Sequence, residues 1–144
     1  MLRYWTVQVK CGAGGSNMSR QLAQGSKSVF TVVVKPCRVK WYSDEGGEVT
    51  IEDIKCGCNS MIARDTEQMW WVWGNNTMAQ ISGLTCVDLS ADGRKQRYVK
   101  HPVQVQLDAT KMMMIGREGH DHAHKTHVQI HDIVPGWGNF LVIL

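Results

Sequence analysis

Apolar and polar residues alternate along several short segments of the chain, which is the pattern of strands that bury one face. The alternation is clearest at residues 4–10 and at 103–108. Residues 28–35 are rich in β-branched side chains and predict a largely buried strand. Pro36 should end this strand, because proline cannot donate to a sheet ladder. Strand periodicity therefore dominates the pattern.

Turn signals separate these segments and predict two hairpins. An acidic, glycine-containing stretch lies between residues 37–42 and 48–52, so these two alternating segments are expected to pair with each other. The Asp92-Gly93 dipeptide is a strong turn signal and predicts a second hairpin after the apolar, strand-like run at 78–89.

Helical periodicity is nearly absent. Residues 11–17 are rich in glycine and predict a flexible turn, which is followed by one short segment at 18–24 that could form a helix. The sequence therefore predicts an all-β fold, a single-domain antiparallel sandwich or jelly-roll-like fold with at most one short helix. The length of 144 residues fits one domain, 1–144, with a histidine-rich segment at 119–132.

Three tryptophans near the middle of the chain and a later run of three methionines give the sequence its largest soft apolar side chains. The tryptophans predict either a strand buried on both faces or an interface patch, and the methionines suit irregular packing or a subunit contact. One small sheet is not expected to cover all of them, so we expect a homo-oligomer, either a trimer or a larger closed assembly. The candidate interface residues are Trp70, Trp71, Trp73, Met112, Met113 and Met114.

The formal net charge of +3 is too small to indicate a dedicated nucleic-acid-binding protein. One local basic run could contact phosphates, or it could guard an edge strand against pairing with other chains. The guard is the simpler interpretation, so nucleic acid is considered as a partner but is not favoured. The candidate phosphate-contacting residues are Arg94, Lys95, Arg97 and Lys100.

The sequence shows no secretory signal and no run of about 18 apolar residues, so we expect no membrane-spanning helix. The five cysteines are an odd number, which favours reduced thiols over a disulfide framework. We therefore expect the protein in the cytoplasm or in an assembled particle.

Cys56-Gly57-Cys58 places two thiols one residue apart, where they could share a metal or form a redox pair. Buried free thiols are the simpler interpretation.

Five of the six histidines lie within twelve consecutive residues. Neutral imidazoles are metal ligands, so this segment predicts a site for a transition metal ion, zinc or iron. The β-branched residues at 128–134 favour an extended chain, in which His-x-His pairs share one face. A polar, pH-responsive loop without a ligand is the alternative. The candidate metal ligands are His120, His122, His124, His127 and His131.

Short motifs in this segment resemble known metal sites. The His-x-His element at 120–124 resembles the metal-binding tips of trimeric phage tail fibres and spikes, which implies an iron held on a threefold axis by pairs from three chains. The same residues have the outline of a helical zinc protease, with aspartate in place of glutamate. Residues 127–139 resemble the beginning of a His-Asn-His nuclease finger, although no histidine follows His131.

We conclude from the sequence that a non-enzymatic, self-assembling structural β protein with a histidine-cluster metal site is the favoured function, and that a viral or phage-like particle component is its most specific form. No complete catalytic motif is recognisable, so an enzyme is not favoured. The alternative is a small metal-dependent nuclease or hydrolase that uses the C-terminal histidines. An enzyme needs an open metal position in a pocket, whereas a structural protein needs a closed site or one at a subunit contact.

Overall fold

Strands are the only regular elements in the residues that the computed structural model describes, which are 12–24, 32–39, 41, 49–85, 90–91, 94–107 and 129–144. Each pairing between these strands is antiparallel. The segment at 4–10, predicted to be a strand, lies outside the described residues. The strands are β1 (Gly12–Ser16), β2 (Val32–Arg38), β3 (Ile51–Cys56), β4 (Ser60–Asp65), β5 (Trp70–Asn75), β6 (Ser90–Ala91), β7 (Arg94–Lys95), β8 (Tyr98–Gln104), β9 (Asp132–Pro135) and β10 (Phe140–Ile143).

The centre of the fold is a four-stranded antiparallel sheet in the order β3-β4-β5-β8. In strand β5, Trp70, Trp71 and Trp73 are each at most 5% exposed, which confirms the prediction of a strand buried on both faces. The register places Trp70, Val72 and Ile62 on one face of the sheet. Trp71 and Trp73 lie on the other face.

Other parts of the chain cover both faces of this sheet. On the face that carries Trp71 and Trp73, the ring of Trp41 packs edge-on against both, with ring centroids 6.0 and 5.2 Å apart. Trp73 Nε1 also donates to the backbone oxygen of Gln21 at 2.8 Å. On the opposite face, the hairpin of β9 and β10 packs across β3 and β4 and fully buries Ile133. The predicted all-β antiparallel sandwich is therefore confirmed.

A buried carboxylate fixes the turn between β4 and β5. Asp65 is 5% exposed, and its Oδ1 accepts from the backbone N–H groups of Glu67 and Met69 at 2.9 and 2.8 Å. Its Oδ2 accepts from Trp71 Nε1 at 2.8 Å. These three bonds satisfy the carboxylate and tie the turn to the aromatic strand, so Asp65 has a structural role.

The strand-like run predicted at 78–89 is wrong in its described part, because residues 77–84 form turns. The buried side chain of Asn76 explains the difference. Its Oδ1 accepts from the N–H groups of Ile81 and Ser82 at 3.0 and 3.2 Å, and its Nδ2 donates to Gln96 O at 2.7 Å. Local side-chain bonds of this kind let the backbone leave the strand while Ile81 stays buried.

Strands β1 and β2 form a separate two-stranded sheet, here called the N-terminal ribbon, which corrects three predictions. The glycine-rich residues expected to form a flexible turn form β1, and β2 runs through Pro36 to Arg38. A register irregularity between Ala13 and Gly15 accommodates the proline in this narrow ribbon. The expectation of a largely buried strand is also wrong, since Val34 is 88% exposed.

The hairpin predicted between residues 37–42 and 48–52 is not formed by the described residues of its two arms, 37–39, 41 and 49–52. Strand β2 pairs with β1, and β3 pairs with β4, while Val39 and Trp41 lie outside the strands. Val39 is 1% exposed and belongs to the core, so its alternation with polar neighbours reflects burial in an irregular segment rather than pleating. The helix considered at 18–24 is replaced by turns.

The hairpin predicted at Asp92-Gly93 is confirmed by the pairing of β6 with β7, in which Ala91 lies opposite Arg94. Strand β8 follows, and within the described residues it forms one edge of the central sheet. The described part of the chain contains no helix that is long and apolar enough to span a membrane.

Candidate functional site

The C-terminal hairpin, β9 and β10, contains the described end of the histidine-rich segment. Its register pairs Ile133 with Val142 and Val134 with Leu141. Because side chains alternate along a strand, each of these pairs lies on its own face of the hairpin. Ile133 is fully buried while Leu141 is 63% exposed, so the hairpin has an inner face toward the sheet and an outer face toward solvent.

An ion pair ties the start of this hairpin to the central sheet. Lys55 Nζ on β3 donates to Asp132 Oδ1 on β9, and both side chains are about one-third exposed. Lys55 Nζ lies 5.6 Å from the centroid of the Trp70 ring, and Arg64 Cζ lies 5.5 Å from the same centroid. The hydrogen bond from Lys55 lowers the pKa of Asp132; the Ile133 N–H and nearby positive charges add to this effect, while burial opposes it.

Exposed apolar side chains are concentrated on the outside of this hairpin. Trp137, in the connection between the two strands, is 86% exposed. Scattered exposed hydrophobic residues are normal, but here the register places Val134, Leu141 and Ile143 on one face of the hairpin, with Trp137 and Leu144 beyond its two ends. A concentration of this kind indicates a contact surface. We call this surface the outer patch, and it comprises Val134, Trp137, Leu141, Ile143 and Leu144.

One of the predicted metal ligands, His131, lies in the described part of the chain. His131 directly precedes β9, is exposed, and donates its backbone N–H to Ile143 O at 2.7 Å. Among the described residues, no three His, Cys, Asp or Glu side chains are grouped so that they could hold a metal. The metal site therefore stays a prediction. The other four candidate ligands, His120, His122, His124 and His127, lie outside the described residues.

The basic run considered as a phosphate contact is distributed over β7, β8 and the link between them. Arg94 and Lys95 form β7, Arg97 is exposed in the link, and Lys100 on β8 is half-buried. Strand β8 is an edge strand in the described part of the sheet, as the guard interpretation requires.

The three candidate interface tryptophans are buried in the core of this chain, so a second copy cannot contact them without rearrangement. The methionines at 112–114 lie outside the described residues. Exposed apolar surface is found instead at the outer patch, whose residues were not predicted to be an interface. A signal was present, because residues 140–143 form an apolar run shortly after Gly136 and Gly138, as expected for a hairpin.

Comparison of the chain with protein-family models and with curated proteins finds no match. The support for a function therefore comes from the C-terminal hairpin itself. It consists of the ion pair, the outer patch and the histidine segment that leads into the hairpin.

Proposed function

We propose that the protein is a non-enzymatic structural β protein that assembles with copies of itself through the outer patch. The observation that carries this proposal is the exposure of Trp137, at 86%, and Leu141, at 63%, on a hairpin whose other face buries Ile133 fully. Monomeric proteins rarely leave a contiguous apolar patch of more than a few hundred Å² in water unless it has a partner.

A second copy of the chain is the partner that suits this surface. The side-chain exposures give the patch an area on the order of 600 Å², compared with about 800 Å² per partner in a standard interface. Within the described residues β10 is bonded to β9 alone, and in the proposal a strand of a neighbouring copy pairs with its other edge. The charge on β9 is already compensated, because Asp132 is paired with Lys55. Identical surfaces can therefore approach without strong repulsion from this residue.

The histidine-rich segment would add metal ligands to this contact. His131 is exposed and directly precedes β9, so segment 119–132 leads into the hairpin that carries the outer patch. A site shared between copies needs only part of its coordination shell from each chain. Imidazole ligands suit zinc or iron, and in this proposal the ion links copies rather than catalysing a reaction.

A viral or phage-like particle component is the most specific form of this proposal, located in the assembled particle or in the cytoplasm. Arg97 and Lys100 could contact nucleic acid in such a particle. These two charges are also explained by the edge position of β8, because charged side chains keep an edge strand from pairing with other chains. The proposal therefore does not require nucleic acid.

Sedimentation velocity of untagged protein at micromolar concentration tests the proposal, with added zinc, with added iron and with a chelator. We expect a defined homo-oligomer, whose population falls with chelator and below about pH 6 as the imidazoles protonate. Leu141→Asp should give a monomer, because it places a charge in the outer patch. A strict monomer in the wild type, with and without metal, would reject the proposal.

Val34→Asp is the matched control, since Val34 is even more exposed but lies on the N-terminal ribbon. We expect it to leave the oligomer intact. If it dissociates the oligomer while Leu141→Asp does not, the contact runs through the ribbon and the assignment to the outer patch is wrong. Assembly that persists in the presence of a chelator would exclude the metal link and leave the apolar contact.

A further inference from the structure

The edge strands of the central sheet and of the C-terminal hairpin differ in their protection against pairing with another chain. Edge strand β8 contains Lys100 and Pro102. Edge strand β3 contains three charged residues and a register irregularity between Ile51 and Asp53. Charges, prolines and irregularities of this kind hinder the addition of a strand. Strand β10 has the sequence Phe-Leu-Val-Ile and a regular register, so it has none of these protections.

The register of the C-terminal hairpin shows which backbone groups of β10 point away from β9. Pro135 has no N–H, so its pair with Phe140 is of the kind without direct hydrogen bonds. The next pair toward the turn is bonded directly, since the Gly136 N–H donates to Asn139 O at 2.9 Å. The two kinds of pair alternate along an antiparallel ladder, so Val142 also lies in a pair without direct bonds. The N–H and C=O groups of Phe140 and Val142 therefore point away from β9.

The far side of β9 differs from the far side of β10 in its backbone donors. On β9, Pro135 lacks an N–H, and the Ile133 N–H donates to Asp132 Oδ1 at 2.8 Å. Along β10, no backbone hydrogen bond joins Phe140 or Val142 to another segment of the described chain. The β9 side of the hairpin is therefore closed to strand addition, while the β10 side presents two donors and two acceptors.

We propose that β10 pairs with β10 of a second copy, antiparallel and across a twofold axis, so that two hairpins form one four-stranded sheet. This inference rests on the proposed self-association and names its partner strand. The register that uses both donors and both acceptors places Phe140 opposite the partner's Val142. Leu141 then faces the partner's Leu141 at the axis, in a pair without direct bonds. Strand β10 has no charged side chain that would oppose this approach.

The same register covers the apolar residues beyond the two ends of the hairpin. It places Gly138 opposite the partner's Leu144, so the neighbouring Trp137 lies close to that residue. Trp137 and Leu144 are 86% and 56% exposed in one copy. The outer edges of the four-stranded sheet are the two β9 strands, which are closed to further pairing. The contact therefore joins two copies and does not continue into a fibre.

Disulfide cross-linking of the full chain by oxidised glutathione tests this register. Facing residues in a pair without direct bonds are about 4.5 Å apart at Cα, within the range of a disulfide. Leu141→Cys should therefore form a linked dimer at least ~10-fold faster than Val134→Cys, because facing thiols have a high effective concentration. Val134→Cys is the matched control: Val134 lies on the same outer face, opposite Leu141, but ~15 Å from its counterpart in the paired sheet.

The native thiols contribute a background to this comparison. Cys37 and Cys56 are exposed and Cys58 is partly exposed, so the expectation of buried free thiols is wrong for Cys56 and Cys58. Both variants carry the same native thiols as the wild type. Dimers linked through native cysteines therefore form equally in all three proteins, and the wild-type rate is subtracted from both variants.

Amide hydrogen exchange of the wild type tests the pairing without any substitution. The amides of Phe140 and Val142 should be protected in the oligomer and exchange at least ~10-fold faster on dilution to the monomer. The Leu141 amide bonds within the hairpin and should stay protected in both states.

Sedimentation velocity of the wild type separates the two possible failures. If the wild type is an oligomer but the two cysteine variants cross-link at equal rates, or dilution leaves the exchange of Phe140 and Val142 unchanged, the edge pairing is wrong and self-association stands. The outer patches would then pack face to face. A wild type that is a strict monomer overturns both the pairing and the proposed function.

Discussion

Replacing Trp137 by alanine tests the proposed contact at its most exposed side chain. Trp137 is 86% exposed, and a contact that covers about half of an aromatic surface of ~200 Å² removes ~100 Å² from water. At ~25 cal/mol per Å², this burial stabilises the contact by ~2.5 kcal/mol, within the range of interface hot spots. Alanine keeps only a small part of this surface, so we expect the Kd of self-association to rise by roughly 30- to 70-fold.

The same substitution should leave the folded chain almost unchanged, because so little of the Trp137 ring is covered by the rest of the protein. We expect the free energy of unfolding to change by no more than ~0.5 kcal/mol. Sedimentation equilibrium measures the Kd, and urea unfolding below that concentration measures stability without a contribution from association. Ile133→Ala is the contrasting change on the inner face, where the side chain is fully buried, and should cost ~2–5 kcal/mol of stability. An unchanged Kd in Trp137→Ala would refute the reasoning.

The histidine segment, the nuclease alternative and the Asp132 ion pair each give a further measurable outcome. Elemental analysis of untagged protein should find about one zinc or iron per chain or per oligomer, and the double variant His122→Ala with His124→Ala should lose it; unchanged metal content would exclude these ligands. We expect no cleavage of DNA or RNA with magnesium, manganese or zinc, so cleavage that His131→Ala abolishes would favour the nuclease. The pKa of Asp132 is lowered, so its bond to Lys55 stabilises the fold above the ordinary pKa of about 3.9, and this contribution is lost as pH falls through the lower folded-state value. Urea unfolding should show Asp132→Asn ~0.2–1 kcal/mol less stable at neutral pH, with a smaller difference in strong acid; the same difference at both would contradict this.

The elements that the sequence predicted correctly depend on neighbouring residues. Strand β5 is apolar at four successive positions, Trp70 to Trp73, which fits a strand buried on both faces. An Asp-Gly dipeptide between two short strands usually forms a hairpin turn, and β6 and β7 pair across Asp92-Gly93. Local chemistry settles both features, so no knowledge of distant contacts was needed.

The errors arise where a distant or unusual contact overrides the local pattern. Pro36 normally ends a strand, but the irregular pairing of β1 and β2 tolerates its missing N–H. Residues 78–84 are largely apolar and suggest a strand, but the buried Asn76 side chain bonds to two backbone N–H groups and turns the chain. Val39 and Trp41 alternate with polar residues, yet they pack into the core from an irregular segment. The periodicity of apolar and polar residues alone does not predict any of these three features.

The C-terminal hairpin shows most clearly why its exposed surface could not be read from the sequence. Both faces are apolar, because Ile133 and Val142 on one side are matched by Val134 and Leu141 on the other, so the alternation does not say which face meets the core. Contacts between residues far apart in the chain accompany the observed choice, such as the bond from Lys55 to Asp132, residues 77 positions apart. Strands with apolar residues on both faces are normally buried on both. In the described part of this chain the sheet covers one face only, and the proposal assigns the second face to another copy.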